Sequence, residues 1–348
     1  MSSFVLARVG SGCDSGSESS SPSGPGDAGQ TREQTDGGSG RPDGRRGRTG
    51  EVPEPGAPLS PLTSNENFYT VSFGGQRAAD WDVDWALTLS GLGDPVTLDL
   101  AALQATGSET VEHTLECIGN NPPGSAISNA EWTGIRLTDL LDTLDLNVPE
   151  STGWIAFECG DGYTGFIPFD EEALQIVLVW QMNGEPLPSS HGAPLRALVP
   201  GRYGMKNPKW LSHLIFTDTE PTGFWEAFGW SAEARYRVHS WIHTPGYGTE
   251  VDQGAITLLG SAFAGAVAIS RVELSFDGGA EWTDAEMTYT GPPNAWSLWR
   301  YQWVPEAPGT YTVVVRATDV DGRVQEVGDL SDHLSGWQGL HTIELEAV

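Results

Sequence analysis

Hydrophobic patterning divides the chain into three parts. Residues 1–58 are rich in Ser, Gly, Asp, Pro and Arg and nearly empty of apolar side chains, so they cannot bury a core and are expected to be disordered. Between 59 and 247, short apolar runs mix with two stretches of helical spacing. TLDLAAL (97–103) and RLTDLLDTL (136–144) carry apolar residues three and four apart, with Asp or Thr near their starts. WALTLSGL (85–92), VEHTLECI (111–118), GWIAFEC (153–159), PLRALVP (194–200) and KWLSHLIFTD (209–218) alternate or run apolar as strands do. From 248 to 348 the texture is strand throughout: AITLLGSAFA, ISRVELSFDGGAEW, WSLWRYQWVP, GTYTVVVRATDVDG and LHTIELEAV, separated by DGG, PPN, PEAPG and DVDG turns. The expected fold is α+β, a mixed domain over 59–247 followed by an immunoglobulin-like β-sandwich over 248–348.

Composition agrees, since 44 glycines, 23 prolines and 14 tryptophans favour strands and loops over helical bundles. The net charge of -29 disfavours nucleic acid and anionic membrane surfaces as partners. Residues 1–50 are neutral, with six acids and six arginines, so the whole excess belongs to the body. Such acidity, with two lysines beside 16 arginines, fits a halophile. Cys13, Cys117 and Cys159 form no CxxC and no paired framework, which points to a reducing compartment. No apolar run reaches membrane-spanning length; the longest, from Ile256 to Ile269, is broken by Gly and Ser and reads as paired core strands. MSSFVLARVG lacks the layout of a signal peptide, so a cytoplasmic location is the default expectation.

One charge anomaly changes the picture. From Pro186 to Thr217 there is no Asp or Glu, and this window holds His191, Arg196, Arg202, Lys206, Lys209 and His213, including both lysines of the chain. A guanidinium fork with point-charge ammoniums and a Pro-Gly-Arg-Tyr-Gly backbone suits a phosphate; the alternative is that these cations pair with acids on neighbouring strands. Cys117 ends an alternating strand before a GNNPPGS turn, as a small hydrophobe or as a soft-metal ligand at a loop tip. Cys159 reads as structural and His113 as a packed or rim histidine. Trp132 and Trp230 either line a substrate funnel or pack in the core. Arg136 either reaches the pocket or makes a surface ion pair. His239 and His243 could pair on a metal only if helical, and VHSWIHTP reads as extended.

LECIGNNPPGSAISNAEWTGIRLTDLL, DGYTGFIPFD, WQMNGEPLPSSHGAPLRALVPGRYGMKNPKWL and GFWEAFGWS, in that order, resemble the sulfite oxidase family of molybdopterin-dependent oxidoreductases. The resemblance runs from about Asn65 to Val348, and the last hundred residues are similar to the family's immunoglobulin-like dimerisation domain. It implies a sulfite oxidase-type molybdopterin-binding domain and a molybdenum–molybdopterin cofactor. It further implies that Cys117 is the protein ligand to molybdenum and that His191, Arg196, Asn207, Pro208 and Lys209 hold the pterin and its phosphate. Arg202 and Lys206 are expected beside them, with Asp161 facing the cofactor and Asn65, Phe68 and Tyr69 lying along the pterin.

The departures bear on substrate. Where sulfite-oxidising members carry an Arg-Asn-His run, this chain has Val71, Ser72 and Phe73; after CxGN it has Asn121, Pro122 and Pro123 in place of arginine. Trp230 stands at the position of the active-site tyrosine, and LSDHLSGWQG has no counterpart of a further arginine. Sulfite is a small dianion that needs cations once desolvated. The expectation is therefore a two-electron oxygen-atom transfer on a small substrate other than sulfite, with Trp230 and Arg136 as candidate catalytic neighbours of Cys117. Alternatives are sulfite oxidation with recruited arginines (Arg136, Arg235 or Arg237) and a non-catalytic module that has lost the metal. Expected partners are a separate electron carrier (a cytochrome, a copper protein or a quinol-linked subunit), a second copy through the C-terminal domain, and, by resemblance, a membrane subunit with an extracytoplasmic location.

Overall fold

A computed structural model describes residues 59–73, 84–122, 124–328 and 333–348. The expected tail (1–58), Cys13 and Pro123 lie outside the described residues. The first half contains two five-stranded sheets. In one, Leu87–Ser90 pairs antiparallel with Val96–Leu98 and parallel with Leu211–Thr217, which continues to Trp154–Cys159 and Thr164–Pro168. The other runs from Glu109–Glu116 to Ile127–Arg136 to Val177–Met182, which then pairs with both Glu185–Pro186 and Arg196–Leu198. Val177–Met182 (VLVWQM) is apolar without alternation because both its faces are covered.

Helix is sparse. Leu100–Ala105 has six residues and Leu137–Thr143 seven, so the α part of the expected α+β fold is thin and the molecule is mostly strand. The first helix begins later than the 97–103 spacing predicts, because Asp99 accepts a hydrogen bond from the Ala102 amide (2.7 Å) and caps the helix there, leaving Val96–Leu98 free to pair as a strand. The second buries Leu137, Leu140 and Leu141, one face at i, i+3 and i+4, against the first core.

The second half is a two-sheet sandwich. His239–Thr244, Ile256–Phe263, Ser297–Trp303 and Glu286–Tyr289 form one sheet. Thr249–Val251, His341–Ala347, Gly309–Asp319, Ile269–Ser275 and Thr283–Asp284 form the other. Leu258 and Trp299 of the first meet Val272, Val313, Val315 and Leu345 of the second in one core. His341–Ala347 (HTIELEA) shows the alternation cleanly, buried at every odd position and exposed at every even one. Two sequence expectations shift. The apolar stretch 256–269 does not pair with itself: its strands go to opposite sheets, joined through Gly265 at φ 65°. His239–Thr244 pairs with Ile256–Phe263 and so belongs to the sandwich, although it precedes residue 248.

The two halves are joined along a strand edge. Glu109–Glu116 is the outermost strand of its sheet, and the sandwich loop before Ser297–Trp303 covers it. The Thr114 amide donates to the Asn294 carbonyl (2.7 Å), and the Thr114 hydroxyl accepts from the Trp296 amide (2.9 Å). An edge that would otherwise invite pairing with another chain is thereby closed.

Burial lowers the pKa of His341 and of His243 to about 4, the latter helped by the neighbouring His341 and His239. Both are neutral in the folded state and ordinary when unfolded, so the unfolded chain binds protons preferentially below the ordinary value of 6.5. Their contribution to stability is full above pH 6.5 and is lost as pH falls through about 4. Thermal unfolding at pH 7 and pH 5 is expected to show the loss, and His341→Gln is expected to flatten this pH dependence; an unchanged slope would remove this assignment.

Candidate active site

Cys117 leaves the strand Glu109–Glu116 into a turn that its own polar groups close. The Cys117 amide donates to the Ala126 carbonyl (2.9 Å) and the Asn120 amide to the Cys117 carbonyl (2.9 Å). Asn120 fills the middle, its Oδ1 accepting from the Ala126 amide (3.0 Å). A Cβ at Gly124 would lie 2.1 Å from that Oδ1, so glycine is required there. The half-buried thiol rests on an apolar floor with Phe68, Tyr69, Leu115 and Trp132, and Val71 packs beside it. Burial pushes the thiol pKa up; the Gly119 amide opposes this and Glu116 adds to it. A thiol so placed keeps its proton until a cation displaces it. Trp230 borders the same turn, with its ring 3.5 Å from where a Gly119 Cβ would stand.

The cation-rich window divides in two. Arg196 is 4% exposed and lies over the Trp132 ring (5.1 Å), its Nη1 and Nη2 donating to the carbonyls of His191 and Asn207 (3.1 Å each). Its Nε is buried with no partner among the described residues. His191 donates from Nε2 to the Asn65 carbonyl (2.9 Å), and burial first, then Arg196 and Lys209, lower its pKa to about 4. Lys209 lies over the Trp210 ring (4.4 Å) and is lowered to about 8 by burial and by Arg196. Burial raises Asp161, and Lys209 pulls it back. Gly192, at φ 115°, lets the backbone pass between two cations: a Cβ there would be 3.0 Å from Lys209 and 3.1 Å from Arg196. Among the described residues, Arg196, Lys209 and Arg237 are the Lys and Arg side chains with no carboxylate within 4.0 Å.

The other half of the window turns away. Lys206 donates to the Phe166 carbonyl (2.7 Å) and bonds the Glu226 carboxylate. Arg202 bonds the Glu233 carbonyl (2.7 Å) and reaches Glu233 and Asp170 carboxylates (3.4 and 3.5 Å). For these two the pairing alternative holds, because acids distant in sequence come to them. Asn207 is a framework residue: Oδ1 accepts from the Val199 amide (2.7 Å), and Nδ2 donates to the carbonyls of Arg202 and Tyr203 (2.9 and 3.0 Å). The Pro208 carbonyl accepts from the Ala197 amide (3.1 Å).

Arg136 is elsewhere. It ends the strand that begins at Ile127, the residue paired with Glu116, and nine residues of strand put it roughly 30 Å along the sheet. There it makes an ion pair with Glu109 (2.8 Å) and a bond to the Gln175 side chain (3.0 Å). Trp132 is fully buried, its Nε1 donating to the His113 carbonyl (3.0 Å), so it is floor and not funnel. Asn65, Phe68 and Tyr69 do lie at the site: Phe68 stacks on Tyr69 (5.7 Å) and meets His191 edge-on (5.5 Å). His239 and His243 sit on an extended strand, bonded to Glu116 (2.9 Å) and Ser261 (2.8 Å). Glu116, Tyr203 and Tyr236 also lie beside the turn or its neighbours, although no motif in the sequence singles them out. A carboxylate beside the cysteine, on a strand buried on both faces, was the available signal for the first.

These residues can hold the group that the resemblance implies. The thiol is a soft-metal donor, while Arg196 with its unpartnered Nε, neutral His191 and Lys209 form a donor set for an anionic group. Arg196→Gln in protein made in a cofactor-competent host is expected to lower retained pterin roughly 10- to 100-fold, the loss of a charge-assisted hydrogen bond, measured as fluorescent pterin release. Arg136→Gln is expected to retain the wild-type amount. Retention is expected to weaken above about pH 8, where Lys209 loses its proton; a flat profile from pH 7 to 9 would exclude its charge from the site.

Residues 74–225 match the family described as oxidoreductase molybdopterin binding domain, and residues 231–336 match the Mo-co oxidoreductase dimerisation domain. Mitochondrial sulfite oxidase of Homo sapiens is 30% identical over 280 residues, 67% of this chain and 51% of that protein. The NAD(P)H nitrate reductase of Hordeum vulgare is 26% identical over 317 residues, 72% of this chain and 35% of that protein. The crystal structure of the sulfane dehydrogenase SoxCD from Paracoccus pantotrophus shares the fold, with a TM-score of 0.70 at 23% identity over 82% of this chain and 81% of that one. The chain spans about half the length of the first curated relatives it matches. With the cofactor-domain match over the half that holds Cys117 and Arg196, and the dimerisation match over the sandwich, the chain belongs to the sulfite oxidase family of molybdopterin-dependent oxidoreductases.

Proposed function

We propose that the protein is a molybdenum-cofactor oxidoreductase that moves an oxygen atom, with two electrons, between water and a small substrate other than sulfite. The observation that carries this is the meeting of a soft thiol, Cys117, with acid-free Arg196 around one aromatic floor, in a chain where most other described cations are matched by carboxylates. When bound, the molybdenum centre supplies the oxygen-atom and electron chemistry. The chain's own part is to hold and to shape. Cys117 gives up its proton to act as ligand, which ties metal loading to pH. Arg196 and Lys209 meet the negative charge of the pterin phosphate, and neutral His191 is fixed by Asn65 with its Nδ1 side left as an acceptor. Matching of the sandwich to a dimerisation domain supports a homodimer, and electrons pass to a separate carrier.

Substrate choice rests on what surrounds Cys117. Val71 packs on its floor, and Trp230 borders its turn with Trp225 behind it (6.1 Å between rings). Apolar neighbours of this kind disfavour a desolvated dianion. Arg136 is remote and Arg235 is bound to Glu172 (2.6 Å), which removes two of the arginines that could serve sulfite. Sulfite oxidation remains the second reading because of Arg237. It bonds the Ser335 carbonyl (3.4 Å), has no carboxylate within 4.0 Å among the described residues, and opposes the rise that burial gives the pKa of the Tyr203 phenol.

Two measurements decide. Cys117→Ser is expected to keep the pterin and lose metal-linked turnover by at least roughly 100-fold, beyond the range of outer-shell changes; unchanged turnover would remove the ligand role. Wild-type holoenzyme is expected to reduce no artificial acceptor at saturating sulfite. Turnover that disappears in Arg237→Ala would instead establish the second reading, and purified protein without molybdenum or pterin would end both.

A further inference from the structure

Glu116, next to the thiol, is 1% exposed and has a donor at each carboxylate oxygen. Oε1 accepts from Nδ2 of Asn120 (3.2 Å), the residue whose other amide atom closes the cysteine turn on Ala126. Oε2 lies 2.9 Å from Nε2 of His239. The Glu116 amide in turn donates to the Tyr236 hydroxyl (3.1 Å). His239 is the first residue of the first sandwich strand, buried, stacked on Trp241 (4.9 Å, 25° between planes) and met edge-on by Phe263 (6.2 Å). The turn that carries Cys117 is therefore fastened from two sides, by its own Asn120 and by a histidine of the other half of the protein.

Buried charged or polar networks contribute little net stability, because desolvation opposes the attraction, but they admit few geometries. An apolar pair would hold the halves together as well without fixing the angle at which the turn leaves its strand. Here the carboxylate fixes both the strand end and the turn centre, and the histidine fixes the carboxylate. We propose that Glu116 and His239 are positioning residues through which the sandwich sets the orientation of the Cys117 thiolate toward the metal. This rests on Cys117 being the metal ligand.

The test uses full-length holoenzyme and the Mo(V) electron paramagnetic resonance spectrum, which depends on the metal–thiolate geometry and needs no known substrate. His239→Ala is expected to retain pterin while shifting the Mo(V) signal or losing roughly 10- to 100-fold in metal content, the range for outer-shell partners. His239→Gln, which keeps a donor toward Glu116, is expected to restore the signal. His243→Ala, on the same strand but bonded to Ser261, is expected to leave it unchanged. A metal-loaded His239→Ala protein with the wild-type spectrum would overturn the proposal and leave a merely structural pair. Should His239→Ala fail to fold, Glu116→Gln decides by the same spectrum, an unaltered one again overturning the proposal. Cys117→Ser separates the premises. If its spectrum is unchanged the ligand reading itself falls, whereas a changed Cys117→Ser spectrum beside an unchanged His239→Ala spectrum sinks the positioning role alone.

Discussion

A guanidinium buried without a carboxylate is the constraint on which the rest of this structure depends. Arg196 is almost entirely buried, and among the described residues its charge is answered by two carbonyl oxygens and the face of Trp132. Desolvation is severe enough to draw even an arginine down to about 10. The chain has a net charge of -29, yet among the described residues no carboxylate lies within 4.0 Å of Arg196. The surrounding architecture follows from that arrangement. Gly192 brings the backbone between Arg196 and Lys209, Asn207 holds the loop whose carbonyl receives Nη2, and His191 is kept neutral beside them.

Much of this was legible in the sequence because it was written locally. The acid-free window, the strand alternations and the turn after Cys117 are each contained in a few dozen residues, and the family blocks preserve their order. What the sequence could not reveal was set by partners far along the chain. Lys206 and Arg202 look identical in kind to Lys209 and Arg196 until Glu226, Glu233 and Asp170 fold onto them. Arg136 follows closely on the cysteine blocks in sequence, yet the antiparallel register of Ile127–Arg136 against Glu109–Glu116 carries it to the far end of the sheet. The helical spacing at 97–103 is real but is overruled at its start by the Asp99 cap.

Polar bonds also join the sandwich to the cofactor half. Tyr289 donates to both oxygens of Glu112 (2.6 and 2.5 Å), Asn294 accepts from the Gly201 amide (3.1 Å), and Trp296 donates to the Pro61 carbonyl (2.9 Å). These bonds are polar and directional, and the Tyr289–Glu112 bond, with the two at Thr114, lies on the strand that leads to the cysteine. Apolar contact alone would leave that strand free to slide in register; a row of side-chain and main-chain bonds does not.

The covered edge of Glu109–Glu116 has a consequence for how the site is built. Thr114 receives its hydrogen bond from Trp296, a residue 182 positions downstream. Without that distant partner the strand that leads to Cys117 would keep an open edge, and its turn would be closed from within, by the Cys117–Ala126 main-chain bond and by Asn120. The edge beside Cys117 is complete only with Trp296 in place, so the framework of the site draws on residues from both halves of the described chain.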